Sequence, residues 1–148
     1  MTDSLIQLYQ RDLDRLQDEI EYYQSDAALW SIEKNISNSG GTLALHILGN
    51  LNHFIGAVLG NSGYVRDREA EFNDTLIDRA KIYSDIQALK GTIKNTLEPL
   101  DQETLESTYP ISIRKEAMSV EQFLFHLYGH LNYHLGQINY HRRLCDNC

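Results

Sequence analysis

Residues 120–144 read VEQFLFHLYGHLNYHLGQINYHRRL, a proline-free stretch whose apolar side chains recur at helical spacing. On a helical wheel Leu124, Leu127, Leu131, Leu135 and Ile138 fall within an arc of about 80°, which sets the direction of a core. His126, His130 and His134 follow one another at steps of four, and His141 comes seven residues later. A step of four advances about 40° around a helix, so the first three imidazoles form one stripe. His134 and His130 border the apolar arc, whereas His126 lies towards the rim. Ser119 and Gln122 fit the S-x-x-Q capping box that opens such a helix. A helix of this length, apolar on one side and histidine-lined beside it, has to pack along other helices.

Three earlier segments supply them. In residues 4–24, Ile6, Tyr9, Leu13, Leu16, Ile20 and Tyr23 form a narrow seam at steps of three and four, with Arg, Asp, Glu and Gln elsewhere. The link to residue 41 holds Trp30 and ends in NSGG. Residues 42–59 form the second helix. Its broad apolar arc of Leu43, Ile47, Leu48, Leu51, Phe54, Ile55 and Val58 adjoins His46, Asn50 and His53, with Gly49 and Gly56 on the same flank. Glycines there let another backbone or a ligand come close. Residues 63–73, GYVRDREAEFN, alternate Arg66 and Arg68 with acids and read as a solvated surface connection rather than an anion site. A third helix, capped by Asn73 or Asp74, carries Ile82, Ile86, Leu89, Ile93 and Leu97 and stops before Pro99. The ISI run within residues 100–118 is too short to establish a strand. The fold class is therefore all-α: a four-helix bundle in one domain, residues 1–144, with a short tail at 145–148. The connection between the third and fourth helices is long enough to cross the bundle, so a simple up-down-up-down order is not assured.

Composition narrows function. A formal net charge of −8, with 13 scattered basic residues, argues against a nucleic-acid partner. No apolar run approaches the ~20 residues that span a bilayer, and the acidic, amphipathic N-terminus is not a signal peptide. The expected setting is the cytoplasm, without membrane partners. Both cysteines lie in the last four residues, CDNC, where a disulfide would staple almost nothing. A mobile, reduced tail is expected, although Cys145 and Cys148 with His141 offer donors for a stray metal.

Two histidines at i and i+4 can reach one ion at about 2.0–2.1 Å. His130 and His134 have that spacing, in H-L-N-Y-H. A third ligand must come from another helix. His46 and His53 lie about 10 Å apart along the second helix, too far to share an ion. His46, one turn into the helix, is the expected ligand and His53 the alternative. No Glu follows His130, so the zincin general base is missing, and there is no Glu-x-x-His pair, phosphate loop or G-x-S-x-G elbow. An open three-histidine site can instead bind a water or a substrate thiol and lower its pKa.

The motif H-x-x-x-H-x-G-Q-I at residues 130–138, together with the helix-two histidine in LALHILGNLNHF, resembles the DinB/YfiT-like metal-binding superfamily of four-helix bundles. The resemblance extends from the first helix to His141. It implies that His46, His130 and His134 ligate a divalent metal, nickel or zinc. It also implies a small-molecule substrate, with thiol-dependent transfer using a low-molecular-weight thiol among the activities found in relatives. NSGGTLALHILGNLNHF and YVRDREAEF look like a branch whose activity is unassigned. Asn50, His53, His126, Gln137 and Tyr140 are candidates for the pocket or for orienting the ligands. A thiol S-transferase is the leading expectation. Rivals are a metal-dependent hydrolase and a non-catalytic module that forms a homodimer through an exposed helix face.

Overall fold

The computed structural model describes residues 1–32, 35–74, 76–112 and 117–145. Within them lie α1 (Thr2–Glu21), α2 (Asp26–Leu29), α3 (Gly40–Leu51), α4 (Arg68–Asn73), α5 (Arg79–Leu97), α6 (Gln102–Glu106) and α7 (Val120–Cys145). α3 continues as a π-helix over Asn52–Leu59. Among the described residues there is no strand, only an isolated bridge between Thr108 and Ser119. Ile111 and Ser112 are irregular, and Ile113 of the same apolar run lies outside the described residues.

The seams predicted from periodicity largely bury, except that Leu5 rather than Ile6 opens that of α1, and Ile6, Phe54 and Val58 are only partly buried at the edge of the core. Leu5, Tyr9, Leu13, Leu16 and Ile20 of α1 meet Ile82, Ile86, Leu89, Ile93 and Leu97 of α5 and the Leu124–Ile138 arc of α7 in one core. α3 is buried almost all round because α4 covers the side that the bundle leaves open. Together α3 and its π-helical extension form 20 residues apolar enough to cross a bilayer, contrary to the sequence expectation, because His46, Asn50 and His53 interrupt the apolar run without adding charge. More than half of this helix is buried inside the protein, as a core helix would be.

The helix boundaries follow local capping. Gln122 Oε1 accepts from the Ser119 N–H and Ser119 Oγ accepts from the Gln122 N–H, both at 3.1 Å, which completes the capping box. The third long helix starts later than expected. Asn73 ends α4, Leu76 takes a left-handed φ of 64°, and Asp78 then caps α5 by accepting from the Ala80 N–H at 2.8 Å.

Side-chain pairings give the helix directions. Tyr9 reaches Leu124, Asp12 reaches Asn132 and Glu19 reaches Asn139, so α1 and α7 run parallel. Gln10 bonds the Lys90 carbonyl and Arg79 the Ile20 carbonyl, so α5 is antiparallel to α1. His46 faces His130 while Phe54 faces Phe123, so α3 is antiparallel to α7. Gly56 abuts Thr92 and Gly60 abuts Thr96, so α3 and α5 descend together. The long helices thus run up, down, down and up. Of the residues between α5 and α7, Tyr109 packs at the floor of the bundle, where its hydroxyl donates to the Phe54 carbonyl at 2.7 Å.

At the C-terminal end Cys145 belongs to α7 and is buried, not part of a tail. Its neighbour His141 is committed to structure. The Tyr23 hydroxyl lies 2.7 Å from Nδ1, and the Nε2–H donates to the Ser31 carbonyl at 3.0 Å. Both nitrogens are engaged, which argues against a role in a stray metal site. Residues 146–148, with Cys148, lie outside the described residues.

One buried charge ties α1 to α7. Asp12 is fully buried and accepts from Arg11, Arg15, the Tyr128 hydroxyl and Asn132. Burial alone would raise its pKa, but hydrogen bonds from Arg11, Tyr128 and Asn132 outweigh that and hold it at about 2. Because this folded value lies below the unfolded one, the stabilisation is present above about pH 4 and is lost as pH falls towards 2. Urea unfolding across pH 2–6 should show a loss of about 2 kcal/mol from this group. Asp12→Asn should be destabilised at neutral pH and lose most of that acid dependence.

Candidate metal centre

Antiparallel packing of α3 on α7 sets His46 opposite the one-turn pair His130 and His134. The Nε2 of His130 lies 3.0 Å from that of His134 and 3.4 Å from that of His46. Donor atoms of all three fall within 4.8 Å of one another. An ion bound at about 2.0–2.1 Å by three nitrogens holds them roughly 2.9 Å apart in octahedral and about 3.4 Å apart in tetrahedral geometry. The two separations from His130, 3.0 and 3.4 Å, match those values, and the third pair lies within 4.8 Å, so the three rings suit a first-row divalent cation.

Partners of the opposite ring nitrogens fix which atom offers the lone pair. His46 Nδ1 lies 3.0 Å from Glu71 Oε2 and donates to it, leaving Nε2 as the acceptor. Arg66 grips both oxygens of Glu71 at 2.6 and 2.8 Å, so the carboxylate is itself held in place. The Phe72 ring packs against His46 at 5.1 Å. His134 Nδ1 donates to Gln137 Oε1 at 2.7 Å, which aims its Nε2 at the same point. Gly49 makes the Glu71 contact possible, since a Cβ there would come within 2.6 Å of the Glu71 carboxyl carbon.

The electrostatics keep the imidazoles neutral. Burial lowers the pKa of all three, and for His130 burial and then the neighbouring histidines bring it to about 4. Neutral imidazole is the form that ligates a metal. With His46 Nδ1 on Glu71 and His134 Nδ1 on Gln137, the Nε2 atoms of these two rings turn towards His130 Nε2, an arrangement suited to a shared cation.

The structure distributes the other candidate residues. Gln137 touches the centre through His134. Asn50 is buried one turn from His46, and its Oδ1 has no hydrogen-bond partner. His126 is exposed and stacks on Phe123, and His53 packs on Phe54; neither joins the cluster. Tyr140 is exposed and lines a pocket of about 630 Å³. That pocket borders the centre through Gln137 and Tyr133, whose ring lies 5.2 Å from His134; the three histidines do not line it. Sequence reasoning missed Glu71 and Arg66 by treating residues 63–73 as solvated surface. The only trace in the sequence was Gly49, a glycine facing the segment that supplies them.

Metal titration of the purified protein tests this arrangement. Ala at His46, His130 or His134 should abolish stoichiometric binding of a divalent cation. Glu71→Gln and Gly49→Ala should keep binding but weaken it by about 10–100-fold, because the rings lose their orientation. Equal affinity in Glu71→Gln and the native protein would refute that orienting role.

Residues 3–147 match the family model described as Protein of unknown function (DUF1572). No curated protein matches the chain. Among solved structures the fold is similar to YfiT from Bacillus subtilis, described as a probable metal-dependent hydrolase with an unusual four-helix bundle topology. The TM-score is 0.74 at 18% identity, over 96% of this chain and 86% of that one. At that identity the likeness is one of fold. The chain belongs to the DUF1572 family and has the DinB/YfiT-like four-helix bundle fold.

Proposed function

We propose that the protein is a metal-dependent enzyme in which His46, His130 and His134 hold a divalent cation, zinc or nickel, and a small molecule is attacked beside it. The observation that carries this reading is the convergence of the Nε2 atoms of three imidazoles that burial keeps neutral, beside a pocket reached through Gln137 and Tyr133. Bound there, such a cation would lower the pKa of water or polarise a carbonyl. The residues of the chain do the rest. Glu71 and Gln137 hold the ligand rings, while Tyr133, Tyr140, Leu43 and Ile36 offer an apolar wall to the substrate. Asn35, Ser37, Asn38 and Gln137 supply neutral polar contacts.

Hydrolysis of an uncharged ester, amide or lactone is the form this site favours. Among the described residues lining the pocket there is no Lys or Arg, so nothing there compensates a carboxylate-rich substrate. The similarity in fold to YfiT supports the same direction. The second reading is S-transfer from a low-molecular-weight thiol, favoured by the amides of Asn35, Asn38 and Gln137, which suit a peptide-like cofactor. A cytoplasmic setting belongs to both.

Metal-reconstituted protein should hydrolyse members of a neutral ester and lactone panel without added thiol. Chelation or His130→Ala should reduce turnover to background. Conjugation of monochlorobimane that requires a cellular thiol, with no hydrolysis, would reverse the choice. Turnover that survives loss of the metal would remove both readings.

A further inference from the structure

Asn50 stands apart from the other polar side chains inside the bundle. It is 7% exposed, and among the described residues its Oδ1 is the one buried side-chain nitrogen or oxygen without a hydrogen-bond partner. Asp12, Ser39, Glu71 and His141 are buried too, and each is bonded. Two residues further on, Asn52 donates to the Leu48 carbonyl of its own helix at 3.0 Å, which is how an asparagine with a purely structural role is satisfied. A buried carbonyl oxygen left unpaired costs stability that an apolar side chain at the same place would not. A polar group kept at that cost calls for a donor from outside the chain.

The place of Asn50 in the fold identifies the donor. Asn50 follows His46 by four residues on α3, so the two side chains share a face, with Cβ atoms about 5–6 Å apart. Side chains on a helix lean towards its N-terminus, and Asn50 therefore leans back towards His46. Across the antiparallel interface His46 meets His130 and Phe54 meets Phe123, which puts Asn50 between the histidines and that aromatic pair. Arg66 runs past the same stretch, with Nη2 3.4 Å from His46 Nδ1 and Cζ 5.9 Å from the centre of the Phe54 ring. Its guanidinium is given to Glu71 and not to Asn50. The pocket lies at the other end of the centre, where Leu43 and Gln137 line it. Asn50 thus closes the centre from beneath and does not touch what the pocket holds.

We propose that Asn50 is a positioning residue of the metal centre, its carboxamide oxygen accepting the O–H of a water held beside His46, His130 and His134. This role rests on the hydrolytic reading of the site given above. A carboxamide takes no proton at neutral pH, so Asn50 is not a general base. It fixes the direction of one O–H and so turns the lone pairs of the water away from itself, towards the end where the pocket lies.

Full-length protein loaded with Co2+ gives a visible spectrum that reports what surrounds the ion, whatever the activity. Asn50→Leu should stay folded by circular dichroism and keep stoichiometric Co2+, yet shift that spectrum, because the water loses its anchor. Asn50→Asp keeps the shape and the acceptor and should restore the native spectrum. On an ester or lactone that the native protein hydrolyses, Asn50→Leu should lower kcat by about 10–100-fold while KM stays within about twofold. Asn50→Asp should recover most of that loss. A crystal structure of the Zn2+-loaded protein should place a water oxygen about 2.7–2.8 Å from Asn50 Oδ1. An unchanged Co2+ spectrum in Asn50→Leu, a loss confined to KM, or an Oδ1 bonded to the metal or to a protein group would each overturn the role. If the leucine variant does not fold, the Zn2+ crystal structure decides alone. The spectrum and the crystal structure need no substrate, so failure of the hydrolytic reading is distinguished from failure of the role of Asn50.

Discussion

Two consecutive long helices, α3 and α5, descend side by side in the same direction, and the candidate site depends on that constraint. Parallel neighbours cannot be joined by a tight turn, so residues 60–78 must climb the full length of the bundle. The described part of that connection returns along α3, with α4 packed on the side that α1, α5 and α7 do not cover. This return path includes α4, and α4 leans on α3 where Gly49 leaves room. Glu71 thereby reaches His46 from behind, with Arg66 of the same segment holding the carboxylate. A bundle with antiparallel α3 and α5 would have no such segment at that depth. The connection that solves a topological problem also supplies the support for one ligand ring.

The centre balances its charges outside the histidines. Glu71 and Arg66 nearly cancel, so the shell behind His46 orients the ring without adding much net charge. The imidazoles are half-buried to buried and favour the neutral form because desolvation disfavours the protonated one. Burial of Asp12 works the other way around. There the charge is kept, because Arg11, Tyr128 and Asn132 supply more than burial removes. The two sites sit on opposite flanks of α7. One joins α7 to α1 through a charged, fully bonded group. The other joins it to α3 through neutral groups with unused lone pairs, and this is the flank with capacity left for a ligand.

Much of this was legible in the sequence. Period-3.6 patterning identified four long helices and their buried faces, because a helix stripe has few alternatives to core packing. The i, i+4 spacing put His130 and His134 on one flank, and the wheel of the second helix put His46 beside its apolar arc. The capping box at Ser119 was equally local. Residues 63–73 and 145 were misjudged for the opposite reason. A charged segment such as YVRDREAEF looks solvated unless one knows what it lies against, and the burial of Glu71 comes from contacts between residues far apart in the chain.

The sequence by itself determined the long helices, most of their inward faces and the His130–His134 pair, with His46 or His53 beside the apolar arc of the second helix, since those follow from periodicity within single segments. Only the tertiary structure decided that α3 and α5 run parallel, that the return segment delivers Glu71 to His46 across Gly49, and that His141 is spent on Tyr23 and Ser31. These depend on which helix lies beside which, and neighbouring is a property of the packed chain that no local spacing encodes.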